Sequence, residues 1–392
     1  MIILSAHNSA DIYGASRCLL RTMRLFVKDG HEVHVVLPRR GPLVQLLEES
    51  GIRIHVLPHL AIIDRAQMGT MSGKLAFPFR FMFSTAVLIT LILHYKVDVV
   101  HTNSAVLPTA PLAARLTGRR SIWHLREFFS EFPGLWRFYQ HYMGLFSSRL
   151  ITISHAVEVQ FTPRLRAKCT IIYDGFEADD AMSDPEAALA LRKSVGSPRQ
   201  LVGVVGRIKF IRKGQEVLVK AAALLRERFP DVTYLIVGTA SPGSEDHLDQ
   251  LRELIRTNRL ENHFFFTGDI DDVRDVYVAL DITVIPSIQA EPFGLVVMES
   301  MALGTPVVGS RCGGIPEQVV DGETGLLFEP GNEKELAHAL ACLLENDQLR
   351  HRMGKAGQAR ARQVFGMEQT YSLTAACFRG TTESARSLAV AS

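Results

Sequence analysis

Short apolar runs alternate with longer helical segments along nearly the whole chain. That alternation restricts the fold to parallel sheets covered by helices on both faces. Parallel neighbours must be joined by a crossover of a dozen or more residues, and the spacing here supplies one at almost every step. In the first half, residues 2–4, 32–37, 52–57, 97–101, 121–124 and 150–153 are expected strands. A second series opens at 201–206 and continues through 234–237, 263–266, 282–285 and 306–308. At 392 residues the chain is long enough for two ordinary domains. The expected division is a doubly wound, Rossmann-like domain at 1–176, a linker at 177–198 that also carries a helix, and a second such domain at 199–365. Within 366–392, a C-terminal helix is expected to pack back on the first domain, followed by a flexible tail. Ligands of doubly wound sheets bind outside the carboxyl ends of the strands, so the two domains are expected to face a cleft.

Composition narrows the chemistry. A net charge of +2 with no basic block argues against nucleic acid as a partner. No G-x-G-x-x-G follows either opening strand, which argues against a dinucleotide cofactor. Cys18, Cys169, Cys312, Cys342 and Cys377 are scattered and odd in number, the pattern of reduced thiols in a cytoplasmic protein. Residues 1–5 have no basic leader and are expected to be the first strand, not a signal peptide. The longest apolar stretch, 81–93, is too short to span a bilayer. It is expected to be a buried helix, with a helix dipping into a membrane as the alternative.

The densest chemistry lies in Glu291-Pro292-Phe293-Gly294-Leu295-Val296-Val297-Met298-Glu299. Pro292 and Gly294 bend the chain out of a strand and leave backbone N–H groups at the start of a helix, where amides and dipole favour a phosphate. Eight residues approach a whole number of turns, which puts Glu299 about two turns into that helix on the face of Glu291. Two carboxylates beside an anion cradle can accept hydrogen bonds from sugar or ribose hydroxyls. The plain alternative is a solvated loop residue and a surface helix charge. Earlier, Arg207 and Lys213 stand just before Gly214-Gln215 and a helix. Two cations there can neutralise a diphosphate as charge builds on a leaving group; a solvated basic loop including Lys209 and Arg212 is the alternative.

Continued through Gly313-Gly314-Ile315-Pro316-Glu317 to Asp321-Gly322-Glu323-Thr324-Gly325-Leu326-Leu327, this text resembles the donor-binding half of the family-4 retaining glycosyltransferases. The resemblance covers nearly the whole chain and is strongest from about Val202 to Pro330. It implies the α/β GT-B fold and transfer of a hexose, with retention, from a UDP- or GDP-linked sugar to a saccharide or lipid-linked saccharide, without metal or other cofactor. It assigns Glu291 to donor-sugar hydroxyls, Glu299 to the ribose, and Arg207 and Lys213 to the diphosphate. Gly268 and Ile270 fall where backbone meets the base. Phe293, Gly294, Leu295, Gly313 and Gly314 complete the cradle, and Glu317 is expected to fix that loop. His124 matches a site histidine near the reacting sugar and joins Glu291, Arg207 and Lys213 in the expected catalytic set. Gly14 stands in a loop where the family carries two glycines; the second is Ala15 here, and Ser16 is a candidate cap. Asp174-Gly175 occupies a hinge that more often reads Asn-Gly.

Asn103, Arg126 and Glu127, at two strand ends, are the acceptor-side candidates. Ser154 is expected to be a helix N-cap and not a nucleophile. Asp269-Ile270-Asp271 resembles the D-x-D metal motif of the other large glycosyltransferase fold but is expected to be a polar turn. The aromatic cluster of Phe128, Phe129, Phe132, Trp136, Phe138, Tyr139, Tyr142 and Phe146 is open to three readings: core, acceptor groove or membrane patch. Its interleaved basic residues lead to an expected peripheral contact with the inner face of the cytoplasmic membrane. A GT-B-like sugar-nucleotide epimerase and a non-catalytic sugar-nucleotide binding protein remain the rival functions.

Overall fold

The computed structural model describes residues 1–64, 68–129, 133–177, 182–210, 212–240 and 243–381. The chain divides into two compact units, Met1–Gly175 with Met367–Ser392, and Phe176–Gly366.

Unit 1 holds β1 (Ile2–Ala6), β2 (Glu32–Leu37), β3 (Arg53–Val56), β4 (Val99–Thr102), β5 (Arg120–Leu125), β6 (Arg149–Thr152) and β7 (Cys169–Ile171) in the order β3-β2-β1-β4-β5-β6-β7. Every pairing is parallel. Successive side chains of a strand point to opposite faces, so each strand feeds two cores. Ile3, Val35, Val99, Ile122 and Ile151 pack with the helices Gly14–Lys28, Pro42–Glu49 and Met367–Arg379. Leu4, Ala6, Val36 and Val100 pack on the other face with Met71–His94 and Thr109–Leu116. The C-terminal helix belongs to this unit through Phe378, which stacks on Phe26 at 4.8 Å, and Thr370, whose hydroxyl donates to the Tyr173 carbonyl at 3.0 Å. The expected tail, from 382 onward, lies outside the described residues.

Unit 2 holds β8 (Gln200–Val205), β9 (Val232–Val237), β10 (Phe264–Gly268), β11 (Ile282–Ile285), β12 (Val307–Ser310) and β13 (Gly325–Phe328), again all parallel, in the order β10-β9-β8-β11-β12-β13. Two strands differ from expectation by existing at all. β7 and β13, of three and four residues, are edge strands, each defined by pairing with a single neighbour, β6 or β12.

The expected linker at 177–198 contains the helix expected in it, but that helix belongs to unit 2. Residues 178–181 lie outside the described residues, and the helix runs Pro185–Ser194. The Asp184 carboxylate caps it, accepting from the Glu186 N–H at 2.9 Å. Ala188 is buried with Leu235, Val276 and Leu280, and Arg192 pairs with Asp281 at 2.9 Å. The apolar stretch at 81–93 is corrected. The helix runs Met71–His94, 24 residues, and buries only Ser84, Thr85, Leu88 and Ile92.

Unit 1 has an unusual interior: His7, His34, His101 and His124 are all buried, and they are the buried histidines of the described residues. His34 hydrogen-bonds His55 at 2.9 Å and Glu32 at 3.0 Å. Burial, reinforced by the charge of Arg126, lowers His7 to about 4 and His101 to about 3; the same causes hold His124 well below its usual range. These groups stay neutral in the fold and protonate freely once unfolded. Stability is therefore complete above the unfolded value near 6.5 and drains away as pH falls below it, by about 2 kcal/mol for each of His7 and His101 between pH 7 and pH 5. Both tryptophans, Trp123 and Trp136, lie in unit 1. Tryptophan fluorescence should therefore show the urea midpoint of this unit falling steeply from pH 7 to pH 5; an unchanged midpoint would mean that these histidines titrate normally.

Candidate active site

In unit 2 the chain moves from β8 out to β9 and β10, then returns to place β11 on the other side of β8. The loops after β8 and β11 diverge, and a crevice opens at the carboxyl ends of those two strands. Lys213 comes from the first loop and Glu291 from the second, and they meet there: Lys213 Nζ lies 2.6 Å from Glu291 Oε1. Ser287, itself buried, donates to the same oxygen at 2.9 Å. Gly214 makes the approach possible. It has φ +69°, and a Cβ there would stand 1.8 Å from the Pro286 carbonyl oxygen. Lys209 adds to the cationic loop. Its pKa is lowered by burial first, then by the charges of Arg212, Arg207 and Lys213, so an arriving diphosphate would relieve a crowd of like charges. Ile211, inside this loop, lies outside the described residues.

The helix after Gly294 runs Leu295–Ala302. Glu299 is thus in its second turn, little more than one turn from the start, and Glu291 precedes the helix altogether. Whole-turn arithmetic does not relate the two; separate anchors do. Tyr277, fully buried, donates to Glu299 Oε2 at 3.0 Å. The β12 loop lies against the backbone of Glu291: the Gly314 N–H donates to the Glu291 carbonyl at 2.8 Å, and Gly313, at φ +59°, leaves no room for a Cβ, which would fall 2.1 Å from the same oxygen. Gln318 ties the loop down by donating its amide to the Phe293 carbonyl, and Arg360 donates to the carbonyls of Glu317 and Gln318 at 2.9 and 2.8 Å. Phe293 turns its ring into the core against Phe365, so only its main chain can serve a ligand. The Gly268 carbonyl accepts from the Gly238 N–H at 2.8 Å, and Ile270 packs against a buried cluster. The Asp269 carboxylate accepts from the Thr239 N–H and hydroxyl at 3.0 and 2.7 Å, which is the work of a turn.

Unit 1 has its own switch point, between β1 and β4. His7 follows β1 and Asn103 follows β4, and His7 Nδ1 lies 3.3 Å from the Asn103 carbonyl and 3.2 Å from its amide nitrogen. Asn103 Oδ1 accepts from Arg126 Nε at 3.0 Å. Arg126 Nη1 then donates to both oxygens of Asp174 at 2.5 and 2.6 Å, with both side chains buried. Burial opposes the charge on Arg126, but Asp174 outweighs it and the pKa is raised. Glu127 accepts from the Ser104 hydroxyl at 2.5 Å and the Ala105 N–H at 3.1 Å. The three acceptor-side candidates thus form one knot. His124 lies outside it, inside β5 and buried, with Nε2 lacking a hydrogen-bond partner. Arg126, one residue past the strand, is the group at the carboxyl end. Gly14 is the first residue of its helix, whose N-cap is Tyr13; Ser16 instead bonds His7 Nε2 at 2.9 Å. Ser154 does cap its helix, accepting from the Val157 N–H.

Within the described aromatic cluster Trp136 and Tyr139 are buried, whereas Phe128, Phe129, Tyr142 and Phe146 are half-buried. Trp136 stacks on Phe129, and Trp123 Nε1, Tyr139 and Tyr142 donate to the carbonyls of Ser104, Ala105 and Pro108. Phe138 is exposed, and Phe132 lies outside the described residues.

Comparison with known proteins matches both units. The glycosyl transferase 4-like domain family matches residues 13–172, and the glycosyl transferases group 1 family matches 190–360. The chain belongs to the family-4 glycosyltransferases of the GT-B fold. The structure of Anabaena HepE in complex with UDP is 27% identical with a TM-score of 0.83, covering 97% of this chain and all of that one; HepE is also known in complex with UDP-glucose, at 26% and 0.81. Among curated relatives, D-inositol 3-phosphate glycosyltransferase of Corynebacterium glutamicum is 38% identical over 176 residues, 44% of this chain and 42% of the relative. Phosphatidyl-myo-inositol mannosyltransferase of Mycobacterium leprae is 37% identical over 196 residues, 49% of this chain and 48% of the relative. The matches span less than half the length of these curated relatives.

For this family-4 chain, sequence reasoning missed the residues that act on the named ones. Ser287 and Tyr277 hold the two glutamates, and Asp174 holds Arg126 from 48 positions away. Asp174-Gly175 announced only a turn. The ion pair implies a sharp result. Asp174→Ala would leave a buried guanidinium without its counter-charge, at a cost of about 3–5 kcal/mol, readable as a lower urea midpoint in tryptophan fluorescence. A variant as stable as the parent would show that Arg126 finds compensation elsewhere.

Proposed function

We propose that this protein transfers a hexose from a nucleoside diphosphate sugar to a hydroxyl of a lipid-linked saccharide, with retention at the anomeric carbon and without a metal ion. The observation that carries the reading is the contact between Lys213 and Glu291 at the β8–β11 crevice. It sets an ammonium for the diphosphate beside a carboxylate for the sugar. A UDP-linked donor is supported by the complexes of HepE with UDP and UDP-glucose, and a lipid-borne acceptor by the relative named for phosphatidyl-myo-inositol.

In this reading the bond from the anomeric carbon to the diphosphate oxygen breaks while the acceptor oxygen bonds the same face of that carbon. The acceptor proton passes to the departing phosphate oxygen, which leaves as the nucleoside diphosphate. Lys213, Arg207 and Lys209 stabilise the negative charge that grows on that oxygen, and the N–H groups at the start of Leu295–Ala302 add partial positive charge. Glu291, oriented by Ser287, accepts from the donor-sugar hydroxyls. Glu299, oriented by Tyr277, accepts from the ribose. On the acceptor side Asn103, Arg126 and Glu127 are the candidates, and His124 is the candidate near the reacting sugar.

Glu291→Gln should lower kcat by about 10² to 10³ while leaving UDP affinity nearly unchanged, since the lost contact is to the sugar. Near-normal turnover in that variant would remove Glu291 from the reaction. Activity should survive EDTA, and Lys213→Ala should weaken UDP far more than uridine; loss of activity in EDTA with recovery in Mg²⁺ would contradict the metal-free mechanism. An epimerase would convert the donor sugar without any acceptor, so incubation with donor alone separates that rival.

A further inference from the structure

The helix Met71–His94 is apolar on two opposite faces. Its inner face buries Leu88 and Ile92 against Ala110, Ala113 and Ala114 of Thr109–Leu116. Its outer face carries Met71, Leu75, Phe79, Met82, Ala86 and Leu93, broken only by Thr90, each three or four residues after the last and all exposed. Such spacing makes one continuous stripe along the helix. Met71, Leu75 and Phe79 are 72%, 67% and 71% exposed. A helix that faces water places polar residues on this side, and contiguous exposed apolar surface marks an interaction site.

Charge identifies what would cover it. Met71–His94, Thr109–Leu116 and Pro133–Phe146 contain no aspartate or glutamate, whereas they carry Lys74, Arg80, Arg115 and Arg137. Carboxylates do occur in helices on the opposite face of the same sheet, at Glu48, Glu49 and Glu368. A protein partner would ordinarily meet mixed charges; a row of apolar side chains on helices whose Asp, Glu, Lys and Arg content is basic alone suits an anionic bilayer. The helix is long enough to cross one, but its inner face is packed into unit 1, so it can only lie along the surface.

We propose that this face of unit 1 docks on an anionic phospholipid bilayer, with the Met71–Leu93 stripe at the boundary of acyl chains and headgroups and Lys74 and Arg80 at the phosphates. This moves the contact away from Trp136, which is buried. It does not depend on which sugar the protein moves.

The full chain should be sedimented, without donor or acceptor, with vesicles of phosphatidylglycerol and phosphatidylcholine and with phosphatidylcholine alone. It is expected to pellet with the anionic vesicles, less with the neutral ones, and less at high salt. Leu75→Glu/Phe79→Glu/Met82→Glu should reduce binding at least about tenfold with an unchanged melting temperature, because the three side chains are exposed. Lys74→Gln should reduce it about fivefold, the equivalent of roughly 1 kcal/mol per basic residue at such a surface. A parent protein that stays in the supernatant with anionic vesicles, or a triple variant that binds as the parent does, overturns the proposal. So does a dimer that the triple variant breaks in the absence of vesicle binding, which would give the stripe to a second copy of the chain. Since no substrate is present, neither result bears on sugar transfer.

Discussion

Parallel pairing is the constraint on which everything else rests. Because each strand is followed by a crossover that returns to the same edge, every loop leaving the carboxyl end of a strand is delivered to one side of its sheet. Residues that are remote in sequence meet there without any local signal. In unit 2 this brings together Lys213 and Glu291, 78 positions apart, across the point where strand order reverses. In unit 1 it brings together His7 and Asn103, 96 apart, at the equivalent point. The chemistry of the two crevices differs because one is furnished with flexible cations and partly exposed carboxylates, the other with buried and mutually satisfied groups.

That difference has an energetic meaning. The knot of His7, Asn103, Arg126 and Asp174 spends most of its hydrogen-bonding capacity internally, as a buried polar network must if it is not to destabilise the fold. It fixes the direction of Arg126 and leaves little freedom to adapt. The β8–β11 crevice is arranged otherwise. Lys213 and Glu291 pair with each other at its mouth, and Lys209 stands among the like charges of Arg212, Arg207 and Lys213. In the function proposed above, such a cationic loop complements a diphosphate.

The sequence disclosed whatever depends on local pattern. Strand and helix alternation, the two glutamates eight apart, and the paired cations before a helix are all contained in short windows, and the fold and family follow from them. What it withheld depends on contact or on symmetry of pattern. Ser287 and Tyr277 are ordinary residues until a glutamate is placed beside them. Asp174 looked like half of a turn because its partner, Arg126, lies two strands earlier in the chain. β7 and β13 are edge strands, each defined by pairing with a single neighbour. The helix Met71–His94 deceived for a different reason: with apolar residues both inside and out, it shows no amphipathic period and resembles a core helix. His124 was picked as a strand-end residue, but β5 continues past it to Leu125, and Arg126 is the first residue beyond the strand.

The central claim is that a nucleoside diphosphate sugar binds where Lys213 meets Glu291. A crystal structure of the protein with UDP-glucose tests it most directly. The account predicts the diphosphate against Lys213 and Arg207, the glucose hydroxyls against Glu291, and the ribose against Glu299, with the Lys213–Glu291 contact opened or shared with the ligand. A nucleotide bound elsewhere in the chain, with that ion pair left as it stands in the empty site, would contradict it.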